Sequence, residues 1–494
     1  MEAALAMAPA DVAQEAIPGN IRKAKHFVSF IKKVVQHLRS RLQVDRVTVE
    51  TPLAFTHKLS EDTSLETRPL KFTSTRLNSL LRTLEVTGLE EYKPILDVAN
   101  FASIIGRYQQ GFAVVYEPHG SIVMGVTEPL LQLTCLDASL AIKPVLERFS
   151  TVVITSGTLS PMDLYPKLLG FDPAVRAQLP MTTFRDCLCP LVVVKGGDQV
   201  PLSTKFESRK EVAVLRNYGQ LLTEVARTVP DGVVCFFTSY QYMEFVVSKW
   251  DEMGVLQTVV EHKLVYLETK DVVETTLALD NFKRACDCGR GAVFLSVARG
   301  KVAEGIDFDR HYGRAVVLFG VPFQYTLSHT LRARLDFMRT SYQVKENDFL
   351  TFDALRQAAQ CIGRVIRSKT DYGVVILADS RYSRWDKRSK LPRWIQQFMN
   401  DACLKLSTET AVQHLREFLK TMGQPTDRAQ LLQTLLDEDQ VRARSRALGG
   451  VGGVAEVLPV PRLTAGQVLA AGGVAEEGTT APPPPAGGGG GGGG

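Results

Sequence analysis

The stretch GAVFLSVARGKVAEGIDF, residues 291–308, shows the pattern that decides the fold class. An almost unbroken apolar run passes directly into a loop that holds Gly300, Gly305 and charges of both signs. Apolar runs without polar alternation are typical of strands covered on both faces, as in parallel sheets flanked by helices. Six similar runs alternate with helical stretches: GFAVVYEP (111–118), STVVITSGT (150–158), PLVVVKGG (190–197), DGVVCFFTS (231–239), RAVVLFGVP (314–322) and YGVVILAD (372–379). The pattern predicts an α/β fold with a doubly wound parallel sheet.

The two ends of the chain differ from this central region. Apolar residues recur at helical spacing between basic residues from Ile21 to Leu42, which indicates an amphipathic basic helix. Further helices are predicted for Thr75–Leu84 and Pro94–Tyr108, so residues 20–110 are predicted to be mostly helical. From Leu448 onward the chain is rich in glycine and proline and holds 16 of the 38 glycines, which predicts a disordered tail.

Composition narrows the class of protein. The length of 494 residues predicts about three domains, and 45% hydrophobic with 22% charged residues is typical of a globular chain. A net charge of +5 is too small to indicate a polyanionic partner without local clusters. The eight cysteines include two Cys-x-Cys pairs but no Cys-x-x-Cys spacing, so we interpret them as reduced thiols and assign no metal ligand. No run of 18 apolar residues and no secretory signal pattern occur, which predicts an intracellular protein without a membrane partner.

Polar residues that follow two of the apolar runs are candidate binding residues, because ligands of such sheets bind at the carboxyl ends of the strands. Thr155, Ser156 and Thr158 follow Val152–Ile154, where hydroxyls could contact phosphate or relay a contact between sites. Taken alone, the segment is better explained as an ordinary strand-to-turn connection. Ser239 and Tyr240 follow another run and could hold a nucleic-acid backbone and stack on a base. The alternative is a helix N-cap at Ser239.

The loop after the run at 292–297 combines charge with glycine. Charges of both signs beside two glycines suit a loop whose backbone approaches phosphate while carboxylates orient a ribose, a metal-bound water or a basic partner. A salt-bridged surface loop is the alternative. The residues concerned are Arg299, Gly300, Lys301, Glu304, Gly305 and Asp307.

Two arginines and an amide recur at helical spacing in QCIGRVIR, residues 360–367. Gln360, Arg364 and Arg367 stand at i, i+4 and i+7, which predicts a common helix face that presents charge-assisted donors to the γ-phosphate of a triphosphate. Gly363 would let another backbone come close. Arginines paired with nearby carboxylates are the alternative.

A basic segment, RYSRWDKRSKLPR at 381–393, holds six cations and one acid, with aromatic residues interleaved. Counterion release at cations such as Lys387 and Arg388, together with stacking on Tyr382, Trp385 or nearby Trp394, is typical of nucleic-acid binding. A basic face that meets a protein partner is equally consistent with the segment.

These motifs resemble the XPD family of iron–sulfur DNA helicases in superfamily 2, which are subunits of the transcription and repair factor TFIIH. The similar segments are TSGTLSP (155–161), PDGVVCFFTSYQYM (230–243), SVARGKVAEGIDF (296–308) and QCIGRVIRSKTDYG (360–373). The resemblance covers roughly residues 12–430 and adds DASLAIKP (137–144), ENDFLTFDALRQAAQ (346–360) and DKRSKLPRWI (386–395). It implies a helical arch-like remnant over 1–110, the last strands of a first RecA-like motor over 111–175, and a second RecA-like motor over 176–440. The disordered tail then covers 441–494.

The resemblance also implies residue roles. Arg364 and Arg367, with Gln360 beside them, match the arginines that reach the ATP γ-phosphate. Glu304, Gly305 and Asp307 match the loop that couples the nucleotide and DNA sites, and together with Gly363 they are the expected cofactor-binding residues. The segments that face DNA are matched by Ser239, Tyr240, Arg299 and Lys301. Thr155, Ser156 and Thr158 match the motif that transmits closure between motors.

The chain also departs from the family pattern. It has no Gly-x-x-x-x-Gly-Lys-Ser/Thr loop, no Asp-Glu-Ala-His box and no four-cysteine cluster. ATP with Mg²⁺ and an iron–sulfur cluster are therefore expected of a complete family member, and this chain alone is expected to bind ATP weakly. Unpaired strands near 112–156 would form an aggregation-prone edge unless another chain covers them. The sequence is interpreted as part of a longer gene product, or alternatively as a short form that needs partners.

The implied function is an ATP-dependent helicase subunit of TFIIH that unwinds DNA with 5′ to 3′ polarity. Its implied roles are nucleotide excision repair and transcription initiation in the nucleus, on single-stranded or forked DNA, with the other core subunits and the kinase module as partners. The alternative is a non-catalytic truncated form that serves as a scaffold in TFIIH. An iron–sulfur helicase of another branch is disfavoured by DKRSKLPRWI and DASLAIKP.

Overall fold

A computed structural model of the chain describes residues 24–83, 89–118, 128–181, 183, 185–368 and 370–424. All elements named below belong to one compact unit formed from residues 1–174 and 178–434. A second unit comprises 175–177 with 435–494, and only 175–177 of it are described. The predicted tail over 441–494 and the first residues of the predicted basic helix lie outside the described residues.

The amino-terminal region is helical, as predicted, with a small sheet at its end. Its helices are α1 (Ala24–Arg41), α2 (Pro52–Thr63), α3 (Thr67–Leu70), α4 (Thr73–Thr83) and α5 (Lys93–Arg107). The strands β1 (Thr48–Glu50), β2 (Phe112–Glu117) and β3 (Leu130–Cys135) pair antiparallel in the order β1-β2-β3. Phe27, Phe55 and Leu77 are buried in the core between helices and sheet. Two short helices follow, α6 (Ser139–Arg148) and α7 (Leu164–Leu169).

The carboxyl-terminal region is built on a parallel sheet of seven strands, which confirms the predicted fold class. The strands are β4 (Leu188–Lys195), β5 (Gly232–Phe237), β6 (Leu264–Leu267), β7 (Ala292–Val297), β8 (Ala315–Phe319), β9 (Gly373–Ala378) and β10 (Leu406–Ser407). Their order is β10-β4-β9-β8-β5-β7-β6, and each neighbouring pair is parallel.

Helices cover both faces of this sheet. They are α8 (Val212–Thr228), α9 (Tyr240–Glu252), α10 (Val255–His262), α11 (Val272–Asp287), α12 (Lys301–Gly305), α13 (His329–Tyr342), α14 (Glu346–Ile362), α15 (Trp385–Arg388), α16 (Arg393–Gln396) and α17 (Thr408–Met422). Successive side chains of a strand point to opposite faces. Val233 and Cys235 of β5 accordingly belong to one hydrophobic cluster, while Val234 and Phe236 belong to the other. Burial on both faces explains the unbroken apolar runs in the sequence.

Two of the predicted strands do not join the parallel sheet. The run at 111–118 forms β2, which is antiparallel and packs with the amino-terminal helices. The strand predicted at Val152–Ile154 is absent, and Val153 is 82% exposed. A β-branched run becomes a strand only where a neighbouring strand can satisfy its backbone, and none of the described residues pairs with this one. The assignment of 111–175 to the last strands of a first motor stays a prediction.

Candidate functional site

Several candidate residues lie at the carboxyl edge of the parallel sheet, whereas Arg364 and Arg367 lie in the turn that precedes β9. Ser239 and Tyr240 follow β5, Arg299 and Lys301 follow β7, and Asp379 follows β9. Because parallel strands end at the same edge, the topology brings these positions together, as the sequence predicts.

The two arginines of the 360–367 motif converge on one carboxylate. Arg364 Nη1 lies 2.8 Å from Asp307 Oδ1, and Arg367 Nη2 is paired with the same oxygen. Arg364 Nε also donates to the carbonyl of Ala303 at 2.9 Å. The Arg364 side chain is 11% exposed and that of Arg367 is 40% exposed. Two guanidiniums that share one carboxylate keep a net positive charge and unused donors beside solvent.

The predicted common helix face is wrong. The helix α14 ends at Ile362, so Gln360 is helical but Arg364 and Arg367 lie in the turn that follows. Gly363 does not admit another backbone, since the nearest atom outside its own helix to an added Cβ is a Trp394 ring carbon at 3.9 Å. The arginines meet through the turn instead of through helical spacing.

Asp371 holds this turn in place, and the sequence analysis did not identify it. Its carboxylate accepts the backbone N–H groups of Arg367 at 2.9 Å, Ser368 at 2.7 Å and Arg310 at 3.3 Å, and it is buried. The signal available in the sequence was an aspartate directly before the run at 372–379, in a position to cap a turn. We call residues 363–367 with Asp307 the arginine turn.

The loop at 299–307 forms the short helix α12. Glu304 and Gly305 are exposed, and a Cβ added to Gly305 would meet no atom within 4 Å. A side chain at Gly300 would overlap the carboxylate of Glu268, so this glycine is required for a close approach inside the protein. Lys301 Nζ donates to the carbonyl of Lys270 at 2.9 Å.

Glu268 is a buried carboxylate at the same edge that the sequence analysis missed. It accepts the Tyr240 hydroxyl at 2.7 Å, the Ser296 hydroxyl at 2.6 Å and the Val297 N–H at 3.0 Å. Burial and the hydrogen bond to Glu268 raise the pKa of Tyr240 above its ordinary value. Glu268 therefore joins the ends of β5, β6 and β7. Its position directly after a short apolar run was the only signal in the sequence.

The predicted DNA-side residues have mixed surroundings. Ser239 is the N-cap of α9 and accepts the Tyr242 N–H at 3.2 Å, which confirms the structural alternative for this residue. Arg299 Nη2 lies 2.6 Å from Asp353 Oδ2 and 2.8 Å from the Pro322 carbonyl. Burial opposes ionisation of Asp353, but the charge of Arg299 and the hydrogen bond from Gln324 keep the pKa of Asp353 below its ordinary value.

The cations of the basic segment have partners of their own. Lys387 is buried and Nζ donates to the Thr351 hydroxyl at 2.6 Å, and burial lowers the pKa of Lys387. Arg388 lies 3.5 Å from Asp401. The remaining pairs are Arg381 with Asp379 at 2.8 Å, Arg384 with Asp386 at 2.9 Å and Lys390 with Asp348 at 3.4 Å. Contact of Lys387 and Arg388 with DNA stays a prediction.

The TSGT segment contacts the second half of the molecule through one indole. Ser156 and Thr158 hydroxyls lie 3.2 Å apart, and the Thr158 N–H donates to the Ser156 hydroxyl at 3.2 Å, while Thr155 is exposed beside them. Trp394 Nε1 donates to the carbonyl of Gly157 at 2.7 Å. The same indole lies next to Gly363. A chain of contacts thus connects the TSGT segment to the arginine turn.

The described residues do not fit an iron–sulfur cluster. They contain no group of three or more His, Cys, Asp or Glu side chains that could hold a metal, and Cys235 and Cys361 are buried singly. Burial raises the pKa of both thiols, which disfavours thiolate ligands. None of the helices in the described ranges is long and apolar enough to cross a membrane.

Comparison with known proteins gives consistent matches. The helicase C-terminal domain family matches residues 222–398, and the helical and beta-bridge domain family matches residues 1–111. The XPD helicase subunit of general transcription and DNA repair factor IIH from Arabidopsis thaliana is 57% identical over 88% of this chain and 57% of its own length. The corresponding subunit of Saccharomyces cerevisiae is 52% identical over 85% of this chain and 54% of its own length. A solved structure of an XPD helicase covers 77% of this chain and 64% of its own, with 17% identity and a TM-score of 0.47. The chain spans a little more than half the length of the curated relatives.

Proposed function

This chain is homologous over most of its length to the XPD helicase subunits of general transcription and DNA repair factor IIH, and we propose that it supplies the second motor of such a helicase. The reaction is ATP-driven separation of DNA strands with 5′ to 3′ polarity. The observation that carries the proposal is the arginine turn, where Arg364 and Arg367 share the half-exposed carboxylate of Asp307.

The arginine turn acts on the γ-phosphate of an ATP whose Mg²⁺ and β-phosphate are held by another motor half. Asp307 neutralises only one of the two positive charges. The remaining positive charge attracts the phosphate. Arg364 keeps its position through Ala303, and Arg367 keeps its backbone through Asp371. Hydrogen-bond donors that are already positioned where negative charge develops in the transition state lower the barrier for phosphoryl transfer. Gln360 lies less than one turn before the end of α14, on the approach to the same site.

Two sets of contacts connect the nucleotide site with the residues that face DNA, so that a change of bound nucleotide alters DNA binding. Glu304, Gly305 and Asp307 are continuous in sequence with Lys301 and Arg299, so a shift of Asp307 moves the loop that follows β7. The contact of Trp394 with Gly157 links the arginine turn to Thr155, Ser156 and Thr158. When the two motors close on ATP, the contacts of the protein with the DNA strand near Ser239 and Tyr240 change.

Nucleotide excision repair and transcription initiation in the nucleus are the proposed roles. The other core subunits of factor IIH and its kinase module are the proposed partners, and single-stranded or forked DNA is the substrate. The names of the relatives support the assignment to this factor.

A chimera tests the proposal. The amino-terminal part of the Arabidopsis relative, fused to this chain, is assayed for unwinding of a duplex with a single-stranded 5′ tail and of one with a 3′ tail. We expect ATP-dependent unwinding of the 5′-tailed duplex alone, with the full-length relative as matched control. Absence of unwinding where that control is active would contradict the proposal.

A non-catalytic scaffold role is the second candidate. Hydrophobic clusters cover both faces of the seven-stranded sheet, so this half of a motor has the core it needs to fold without nucleotide. A scaffold predicts that the chain binds core subunits of factor IIH while ATP turnover stays at background with DNA present.

A further inference from the structure

A turn outside every predicted motif exposes an aromatic ring between cations. Phe206 is 74% exposed, and the Arg209 guanidinium lies 4.8 Å from the centroid of its ring. Lys205 and Lys210 are exposed on either side. A single exposed apolar residue is common on protein surfaces, so the distinguishing feature here is the combination of an exposed ring with cations around it.

Hydrogen bonds hold the turn at the carboxyl edge of the sheet, where Ser239 and Tyr240 also lie. The Thr204 N–H donates to Asp379 Oδ2 at 2.9 Å, and Arg381 Nη2 donates to the Thr204 hydroxyl at 2.7 Å. The Ser380 N–H donates to the Leu202 carbonyl at 2.8 Å. The strands β4 and β9 are neighbours, so these bonds join the loops at their carboxyl ends. A ring presented on an anchored turn binds with little loss of conformational entropy.

The charges in this turn differ from those in the basic segment. In the described part of the chain, Lys205, Arg209 and Lys210 form no ion pair with a carboxylate. Glu207 and Glu211 leave the turn with a net charge of only +1, so the ring is the principal feature and the cations assist it. The adjacent loop repeats the arrangement, with Trp385 69% exposed and the Arg388 guanidinium 5.3 Å from its ring centroid.

We propose that the turn at 205–210 is a stacking contact for single-stranded nucleic acid. A base stacks on the open face of Phe206, Arg209 supports the opposite side of the ring, and Lys205 and Lys210 approach the flanking phosphates. A flat π-face between cations that have no carboxylate partner in the described residues is complementary to a base flanked by phosphates. The inference rests on the proposed function, and it adds a contact that none of the predicted DNA-side residues provides.

Binding of a labelled oligothymidine to the full 494-residue chain tests the proposal. The strand should exceed roughly 16 nucleotides so that it spans the largest single-module site sizes. Phe206→Ala should weaken binding about 5- to 150-fold, the loss of one stacked base, while Phe206→Tyr retains affinity. Lys205→Gln with Lys210→Gln should lower the slope of log affinity against log salt by about 1.4. Val273→Ala, at an exposed residue on α11, is the matched control and should bind normally.

Each outcome has a defined meaning. If the unmodified chain binds the oligonucleotide and Phe206→Ala binds equally well, the stacking contact is refuted and the proposed function stands. That result would assign the exposed ring to a protein partner. If the unmodified chain does not bind the oligonucleotide at all, both proposals fail. Because Phe206 is exposed, the thermal midpoint of each variant should match that of the unmodified chain, which separates lost binding from lost folding.

Discussion

The arginine turn and the basic segment at 381–393 are both rich in cations, but they distribute counter-charges differently. Arg364 and Arg367 share a single carboxylate, Asp307, beside solvent. In the basic segment Arg381, Arg384 and Arg388 each have a separate carboxylate, and Lys387 is buried against Thr351 and lies 3.6 Å from Asp386, the partner of Arg384. Two arginines on one carboxylate beside solvent leave a site that attracts an anion, whereas one carboxylate for each arginine makes a structural network. Counting cations in the sequence does not distinguish the two.

The largest expected effect is on the arginine turn. In the chimera described above, Arg364→Ala should lower DNA-stimulated ATP turnover by about 10³- to 10⁵-fold, the range found for arginines that stabilise phosphoryl transfer. Arg384→Ala in the basic segment is the matched control and should change turnover little. Equal losses from both variants would remove the distinction between the two regions.

Arg299 extends the comparison, since its partner Asp353 is also shared, with Arg356 at 3.2 Å, but is buried. Asp353→Asn should lower the free energy of unfolding near neutral pH by about 3 kcal/mol, because it leaves Arg299 without its buried counter-charge. The pKa of Asp353 is lower in the folded state than its ordinary value of 3.8. Its contribution is therefore complete above that ordinary value and is lost as pH falls through the folded pKa.

Denaturant titrations across this acidic range measure the effect. The difference between the unmodified chain and Asp353→Asn should shrink as the carboxyl becomes protonated. A difference that stays constant down to the acid limit would contradict the role given to the Arg299–Asp353 pair.

Lys387 should matter for stability. Lys387→Ala removes the ammonium from Thr351 and from the Phe323 ring, and we expect about 2 kcal/mol of destabilisation. Lys387→Met keeps the volume and should recover most of it. Lys390→Ala, at a more exposed pair with Asp348, should cost less than about 0.5 kcal/mol. A loss of DNA affinity from Lys387→Ala in a protein of unchanged stability would reassign the segment to nucleic-acid binding.

The smallest effect is expected for Asp307→Asn in the unliganded chain. Removal of the shared negative charge should raise the affinity for pyrophosphate about fivefold at low ionic strength, and salt should diminish the gain. Isothermal titration at two salt concentrations measures it. Asp386→Asn, which removes a carboxylate from the basic segment, serves as control and should leave pyrophosphate affinity unchanged.

Sequence reasoning succeeded where local pattern and burial agree. The runs that became β5, β7, β8 and β9 are buried on both faces, so their apolar continuity was a sufficient signal. The clustering of the residues that follow β5 and β7 was anticipated because strand ends of a parallel sheet share one edge, whereas the pairing of the arginines with a carboxylate was only the alternative interpretation.

The failures arise from partners that lie far away in the sequence. Val153 has the composition of a strand but no described neighbour, so composition alone misled. Asp371 captures the backbone after Gly363 and ends the helical geometry that the spacing of Gln360 and Arg364 suggested. Glu268 acquires its role only when three strand ends meet. Phe206 stands out only after the fold shows that nothing covers it.

A structure of the chimera with ADP–beryllium fluoride and Mg²⁺ tests the central claim most directly, because the fluoride complex occupies the position of the γ-phosphate. The account predicts that the guanidiniums of Arg364 and Arg367 lie at hydrogen-bond distance, about 3 Å, from the fluoride ligands, with Asp307 released from at least one of them. A structure in which both arginines stay on Asp307 while other residues contact the phosphate analogue would contradict it.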